Sequence, residues 1–488
     1  MYCKHQHITV SVKGVFKMKE YRLNVKPHIF TFYHILSKLF FFLIFPFLQQ
    51  IFLNPQNIWQ RVNYTVINFI FISGVIITIG FEYKAITYQQ FNNRIYYTKG
   101  VFHKINTTLP KREITCVAST TSYILSAVGC KKVNISTNVN YNDNAIQLYT
   151  NKFNAKQIIQ YTFPIHNQKT ICQQQILAPA VMAVTKTNAL ATALAISAST
   201  KRLGTIIGER LNDIILESIK TIPQLLLTGI PPTLSYISGF IFVGFFIGAV
   251  NQLLSSINFR CEISDKFISV TRGFIKKNIL RFSREKLKGV IIKQTLIMCI
   301  CKIYTLSLVC VTNIKKIDTT FALLSCNNKL KEYTEYVIPI EKYSICKKPH
   351  KSSLKSYLLA PFIWLLVLTT VCIYLHSRFN LSFIAKFTAI ILLPFVIVWL
   401  WFRVIAFKHC KIYVGESTIK LHYYHHINLY TAVVYKSAIS KVVVTQNPFQ
   451  RASKKCHLKL YVQNKKKMII PIKQLNLAEA TELVHKLL

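Results

Sequence analysis

Val62–Phe81 is a run of 20 residues without a single charged side chain. A helix rises about 1.5 Å per residue, so about 20 apolar residues cross the ~30 Å of a bilayer's hydrocarbon. Four more runs share this character: Leu36–Leu53, Leu234–Leu254, Leu358–Leu375 and Phe383–Phe402. Lys38 and Lys386 lie close enough to their ends to snorkel to the headgroups. Trp59, Trp364, Trp399 and Trp401 fall within or beside the runs, where an interfacial aromatic belt belongs. These runs exclude a single-domain soluble enzyme and predict a multipass membrane protein with large segments outside the lipid.

Those outer segments are basic. Lys and Arg number 61 against 17 Asp and Glu, a formal net charge of +44. Part of this follows from a chain rich in Lys, Asn, Ile, Tyr and Phe, the bias of a coding sequence poor in G and C. Near a membrane the charge still has consequences. It holds flanking segments on the cytoplasmic side and draws them to anionic headgroups at about 1 kcal/mol per residue. Nucleic acid is not expected as a partner, because no helix-turn-helix, zinc finger or RNP-type aromatic signature is present.

Lys84 and Arg94, Arg260 and Lys266, and Arg403 and Lys408 flank the runs on the side of the three long basic segments. All three segments are therefore expected in the cytoplasm, which demands an even number of crossings between the first and the second. The sixth span is placed at Ile176–Ala198, whose only charge is Lys186, with Ile214–Ile230 as the rival. The first span reads as a retained signal anchor, since the tail lacks a small-residue cleavage site and no lipobox surrounds Cys3. Met18, followed by Lys-Glu-Tyr-Arg, is an alternative initiator, which the mass of the intact N-terminus would decide.

The 13 cysteines are scattered and odd in number, without a CxxC pair, so neither a disulfide framework nor a structural zinc site is expected. Cys299 and Cys301 are read as sharing one face of a strand. His422, His425 and His426 are expected to be solvated or packed rather than metal-ligating, because 422 and 425 face opposite ways on a strand and 422 and 426 lie about 13 Å apart.

The three basic segments align without gaps. Gly100 is followed by Lys111, Ile114 and Val117 at offsets of 11, 14 and 17; Gly273 is followed at the same offsets by Arg284, Leu287 and Val290. In the third segment His425 stands at the glycine position, and Lys436, Ile439 and Val442 follow in step. Gln294 and Gln446 share a further offset. Each segment then carries an apolar–Pro–Ile triplet: Phe163-Pro164-Ile165, Ile338-Pro339-Ile340 and Ile470-Pro471-Ile472. A coincident set in three places argues for triplication. Ala85–Tyr97, Cys261–Thr271 and Cys410–Tyr423 are β-rich, and Gly100 and Gly273 stand where a hairpin or bulge would need them. The third copy closes with a helix opened by Asn476-Leu477-Ala478-Glu479, with Leu477, Ala480, Val484 and Leu487 as its apolar stripe.

The pattern of strand, Gly, strand, then Pro/Lys-x-x-Ile-x-x-Val, seen in Tyr96–Gly100 through Leu109–Ile114, resembles the bacterial pleckstrin-homology (PH) domain. The whole arrangement is similar to the YdbT-like multipass membrane proteins. The third copy departs at His425 and lacks the proline found at Pro110, where the second has Ser283. The resemblance implies an α+β membrane protein with about six transmembrane helices in three pairs, each pair followed by a PH-like domain: a bent antiparallel sheet with a C-terminal helix. The expected divisions are a basic cytoplasmic tail (1–35), a helix pair (36–81), domain 1 (82–172), a second membrane region (173–257), domain 2 (258–351), a third helix pair (352–402) and domain 3 (403–488). It further implies the plasma membrane of a bacterium, a smaller membrane protein with one such domain as partner, and a role in envelope defence against membrane-active peptides.

The common nucleotide, hydrolase and kinase motifs are missing, so no catalytic, cofactor or metal residues are assigned and a non-enzymatic scaffold is expected. Glu209, Asp213 and Glu217 follow helical spacing, but interleaved Arg210 and Lys220 mark a solvated face. Candidate lipid contacts are Lys276, Lys277, Lys315, Lys316, Lys454, Lys455, Lys465, Lys466 and Lys467, with Lys347-Lys348 a further basic pair. The alternative is a transporter or lipid-handling protein. It would need polar residues inside the helix bundle, and the runs offer little beyond Ser73, Ser235, Ser238, Thr369, Thr370 and Thr388.

Overall fold

Gly100 (φ +90°) and Gly273 (φ +97°) adopt the left-handed conformation, and a Cβ on either would run into a carbonyl three residues on, that of His103 or of Lys276. The two glycines thus shape one and the same turn. The third copy builds it differently. His425 stays in its strand, paired with Asn428, and His426 (φ +51°) takes the left-handed position in a two-residue turn. The glycine equivalence therefore moves one residue along.

The computed structural model describes residues 23–39, 58–101, 103–137, 146–164, 169–173, 180, 217–218, 221, 232–311, 319–324, 327–339, 341–379, 382–463 and 468–487. In chain order the first elements are β1 (Leu23–Val25), α1 (Phe30–Lys38), α2 (Ile58–Ala85), β2 (Thr87–Phe91), β3 (Arg94–Lys99), β4 (Ile105–Pro110) and a 3-10 turn (Lys111–Glu113). Then come β5 (Ile114–Thr121), α3 (Tyr123–Ala127), β6 (Cys130–Thr137), β7 (Ile146–Asn151) and α4 (Lys152–Thr162). The second round is β8 (Lys169–Gln173), α5 (Pro232–Ser256), β9 (Arg260–Ile263), β10 (Phe267–Arg272), β11 (Lys277–Ser283), a 3-10 turn (Arg284–Lys286), β12 (Leu287–Thr295), α6 (Leu296–Ile300), β13 (Tyr304–Cys310), β14 (Thr320–Leu324) and α7 (Asn327–Val337). The third is β15 (Ile345–Lys347), α8 (Leu354–Phe379), α9 (Ser382–His409), β16 (Lys411–Val414), β17 (Thr418–His425), β18 (Asn428–Tyr435), a 3-10 turn (Lys436–Ala438), β19 (Ile439–Thr445), α10 (Pro448–Ala452), β20 (Lys455–Val462), β21 (Met468–Asn476) and α11 (Leu477–Leu487).

The same succession therefore occurs three times, and it agrees in detail. Lys111, Arg284 and Lys436 each open the 3-10 turn; Ile114, Leu287 and Ile439 each open the strand after it. One residue further on, every copy has a break in register on the next strand, at Ile114/Cys116, Leu287/Gly289 and Ile439/Lys441. Ser122, Thr295 and Asn447 cap the short helices, and left-handed Gly129, Lys302 and Lys454 follow each cap by seven residues. Gln294 and Gln446 make the same bond, donating to the carbonyls of Ile303 (3.3 Å) and Lys455 (2.8 Å).

Three sequence readings need correction. The first two apolar–Pro–Ile triplets follow a C-terminal helix, but Ile470-Pro471-Ile472 lies inside β21, so the third match is fortuitous. Cys299 lies in α6 and Cys301 is its C-cap, so they share no strand. In α11 the inward stripe is Ala480, Leu483 and Leu487, with Leu477 and Val484 at its margin.

The membrane reading is also narrower than expected. Among the described residues, two helices are long and apolar enough to cross a bilayer, Thr65–Ala85 and Lys351–Tyr374, with Ile241–Ser256 a shorter apolar helix. Only 6% and 17% of their apolar windows are buried, unlike the core helix of a soluble protein. Six crossings do not follow. Most of Leu36–Leu53 and of both candidates for the third crossing lies outside the described residues.

The chain divides into two compact units, residues 1–113 with 148–154, and residues 114–147 with 155–488. In the first, the sheet order is β1-β2-β3-β4, and Val25 pairs with Tyr88. The Tyr83 hydroxyl, near the end of α2, donates to the Pro27 carbonyl at 2.9 Å. In the second, strands run β6-β5-β11-β10-β9-β8, then β14-β13-β12-β18-β17-β16-β15, then β19-β20-β21. Each copy is folded at its 3-10 turn, so that its first three strands and the strands after the turn lie in different sheets. In the first and second copies the strands after the turn join the next copy's first strands; in the third they form the separate sheet β19-β20-β21. One core packs Cys116 and Ala118 with Phe259, Leu280 and Phe282, and with Leu306, Phe321 and Val337; another gathers Ile419, Leu421, Leu458, Ile470 and Leu483.

Candidate membrane-interface edge

The ends of β11 and β5 are held together, since Lys277 pairs with Thr121. This places the turn Gly273–Lys276 beside α3. The Gly273 amide donates to the Ile257 carbonyl (2.8 Å) and the Phe274 amide to that of Leu254 (2.9 Å), tying the turn to the end of apolar helix α5. From that anchored turn Phe274 is 67% exposed, Ile275 is exposed, and Lys276 and Lys277 follow, both exposed. Tyr123 and Ile124 of α3 are exposed as well. Large apolar residues and lysines thus converge at the foot of an apolar helix.

The next seam repeats the arrangement. Thr295 pairs with Asn428, bringing α6 with exposed Ile297 and Ile300 beside the turn bearing exposed Ile427. Beneath it Tyr357, Phe402, Ala406, Cys410, Tyr424 and Leu429 form a buried cluster at the base of α8 and α9, with Leu296 and Cys299 of α6 packed against it. Arg403 donates to the Tyr424 hydroxyl at 2.8 Å and lies 5.5 Å from the Trp399 ring centre. Lys473 sits 4.6 Å from the Tyr424 ring, and burial beside Arg403 lowers its pKa. The base of α8 is fixed to β21 by Tyr357, which donates to the Lys473 carbonyl at 3.2 Å, and by Ser353, which donates to that of Gln474 at 3.3 Å. Aromatic and cationic side chains of this kind suit the depth of lipid headgroups.

In the third copy, Phe449 is 88% exposed on α10, with exposed Lys454 and half-exposed Lys455 just beyond it. Four of the candidate lysines, 276, 277, 454 and 455, therefore flank exposed apolar residues at the short-helix ends of the strands. Lys315, Lys316, Lys465, Lys466 and Lys467 lie outside the described residues. Sequence reasoning missed the apolar members Ile124, Ile297 and Phe449. The signal was there in the capping residues Ser122, Thr295 and Asn447, each two positions before an apolar side chain.

A separate cavity of about 470 Å3 lies in the second unit over β12, β17 and β18, flanked by α7. His409 and His422 meet there edge to face, ring centres 4.9 Å apart. His422 Nδ1 is 2.8 Å from the Thr431 hydroxyl, and His409 Nε2 is 3.2 Å from the Tyr430 carbonyl. Burial, then the neighbouring His409, Lys420 and Lys411, pushes His422 down to about 3. His409 is lowered too, chiefly by burial. Among the described residues no group of three or more His, Cys, Asp and Glu could hold a metal. His425 and His426 meet edge to face at a turn, 4.1 Å between ring centres.

Neither a curated protein nor a solved structure matches the chain. The family model of the bacterial PH domain matches residues 40–161 and 216–331, stretches that include α2 and α5 and end within α4 and α7, the C-terminal helices of the first and second copies. The chain thus carries two regions similar to the bacterial PH domain, in keeping with a repeated arrangement of that domain.

Proposed function

We propose that the chain is a non-enzymatic membrane scaffold. Three PH-like copies hang from apolar helix pairs on the cytoplasmic side, and the third copy joins the two matched regions through its shared succession of elements. The bilayer and its anionic headgroups are the first partners, and a smaller membrane protein with one PH-like domain is the second. The resemblance to YdbT-like proteins extends the reading to the bacterial plasma membrane and to envelope defence.

The observation that carries this reading is the repeated edge. At the first seam exposed Phe274, Ile275, Lys276 and Lys277 lie at the foot of α5, and at the second exposed Ile297, Ile300 and Ile427 lie by the cluster that holds Arg403 and Lys473 at the base of α8 and α9. Each large side chain reaching the acyl boundary would contribute on the order of 1.5–3 kcal/mol, and each lysine about 1 kcal/mol. With the helices already tethering the domains, these groups orient the domains and need not recruit them. A second feature supports paired crossings. β1 pairs with β2, β8 with β9 and β15 with β16, each across an inserted helical region. A chain that leaves and re-enters one sheet must cross the membrane an even number of times.

Photocrosslinking tests the edge. Benzoylphenylalanine in place of Phe274 or Ile297, in the full chain in native membranes, is expected to give lipid adducts. In place of exposed Glu285, at the opposite end of the strands, it is expected to give none. Equal lipid labelling at all three positions would refute the edge.

A further inference from the structure

The two seams inside the chain follow one rule. Each joins the strand after a 3-10 turn to the strand before the next copy's 3-10 turn, antiparallel. Counting from the first residue of each turn, Cys116 (five after Lys111) pairs with Phe282 (two before Arg284). Gly289 (five after Arg284) pairs with Val434 (two before Lys436). The register is identical.

Among the described residues, three copies and two seams leave one edge of each kind unpaired. β19 ends the sheet β19-β20-β21, and β4 ends the sheet β1-β2-β3-β4. β19 is an unusual strand to leave at an edge, since unpaired backbone beside apolar side chains invites pairing. Val442, Val443 and Val444 are half-exposed there, whereas Val117 and Val290, at the position of Val442, are 1% and 0% exposed. Val442 and Val444 face their own core; Val443 is not part of it. In both internal seams the same position, seven after the turn's first residue, packs into the next copy: Ala118 with Phe282, and Ile291 with the core of the third copy.

We propose that β19 pairs with β4 of a second copy of this chain, in the register of the internal seams. That rule sets Val442 opposite Thr108, Val443 opposite Thr107, Val444 opposite Asn106 and Thr445 opposite Ile105. Lys441 stands opposite Leu109 at the margin, where the internal seams have Cys116 and Gly289. Pro110, which has no N–H to donate, falls one place outside the paired stretch, where neither internal seam has a pair. The contact is heterologous, head to tail, so it builds a ring where the rotation closes and a filament where it does not. Because it repeats the operation relating copies within one chain, it would turn every apolar edge toward the same bilayer.

Disulfide trapping in native membranes tests this on the full chain. Residues directly opposite in an antiparallel pair have Cα atoms about 4.5–5.5 Å apart, within reach of a disulfide. Two differently tagged chains, one with Val443→Cys and one with Thr107→Cys, are expected to form a mixed dimer of twice the 56.3 kDa chain mass on mild oxidation. Neither variant alone should exceed the wild-type background of native cysteines. The double variant should give a ladder of higher species. Val443→Lys, in otherwise wild-type chain, should convert detergent-solubilised oligomer to monomer. An internally linked monomer in place of the ladder would overturn the proposal, as would no mixed dimer while both new thiols remain open to maleimide. The crosslink reads strand pairing alone, so its failure would leave the lipid-edge reading standing.

Discussion

Gly289 faces Val434 across the seam between the second and third copies so closely that a Cβ on the glycine would lie 2.5 Å from Val434 Cγ1 and 2.6 Å from the Val433 carbonyl oxygen. One obstacle is a methyl on a stiff β-branched side chain and the other is backbone, so no flexible end is there to yield. Gly289→Ala is therefore expected to destabilise the second unit by about 1–3 kcal/mol, and Gly289→Val by more. Thermal unfolding of the full chain in neutral detergent reads this as a lowered Tm.

Gly273 and Gly129 separate strain from steric exclusion. Both are left-handed, but only Gly273 has a carbonyl, that of Lys276, in the way of a Cβ; nothing lies within 4 Å of the Cβ position at Gly129. Gly129→Ala should cost about 1 kcal/mol for the conformation alone. Gly273→Ala should cost clearly more and loosen the Phe274 amide from the Leu254 carbonyl, seen as faster hydrogen exchange of the Phe274 amide.

His422 gives the second unit an acid-sensitive element. Its folded pKa of about 3 lies below the ordinary value of 6.5. The unfolded chain therefore takes up the proton first, and stability is lost as pH falls from about 6.5 towards 3. Between pH 7 and pH 5 this amounts to at most about 2 kcal/mol. His422→Gln, still able to bond the Thr431 hydroxyl, should flatten the pH dependence of unfolding over that interval.

Glu341 is fixed by the turn it caps. Its carboxylate accepts from the amides of Ser417 (3.0 Å) and Thr418 (3.2 Å) and from both hydroxyls, which lowers its pKa. A depressed carboxylate stabilises above its unfolded pKa and loses that contribution as pH falls through the folded one. Glu341→Ala should speed hydrogen exchange in Ile345–Lys347, the strand that closes the third helix insert on β16. Ile419 and Leu421, deep in β17, should exchange as before.

Much of this molecule was legible along the chain. Uncharged runs such as Val62–Phe81 announce helices because a stretch of that length has no other way to satisfy its backbone in an apolar setting. The offsets from Gly100 and Gly273 to Lys111 and Arg284 expose the copying, since each copy must make the same turn with the same residue types. Pairing between distant strands is another matter. Which edge Gly289 or Val117 meets depends on segments more than a hundred residues away, and alternation of apolar residues says only that a strand has two faces. Val442 shows the point. Its local sequence matches Val117 and Val290, yet it stays half-exposed because, among the described residues, no strand pairs with the outer edge of β19. The apolar edge of Ile124, Phe274 and Ile297 likewise exists only once β5 lies beside β11 and β12 beside β18, bringing together side chains that the chain itself keeps far apart.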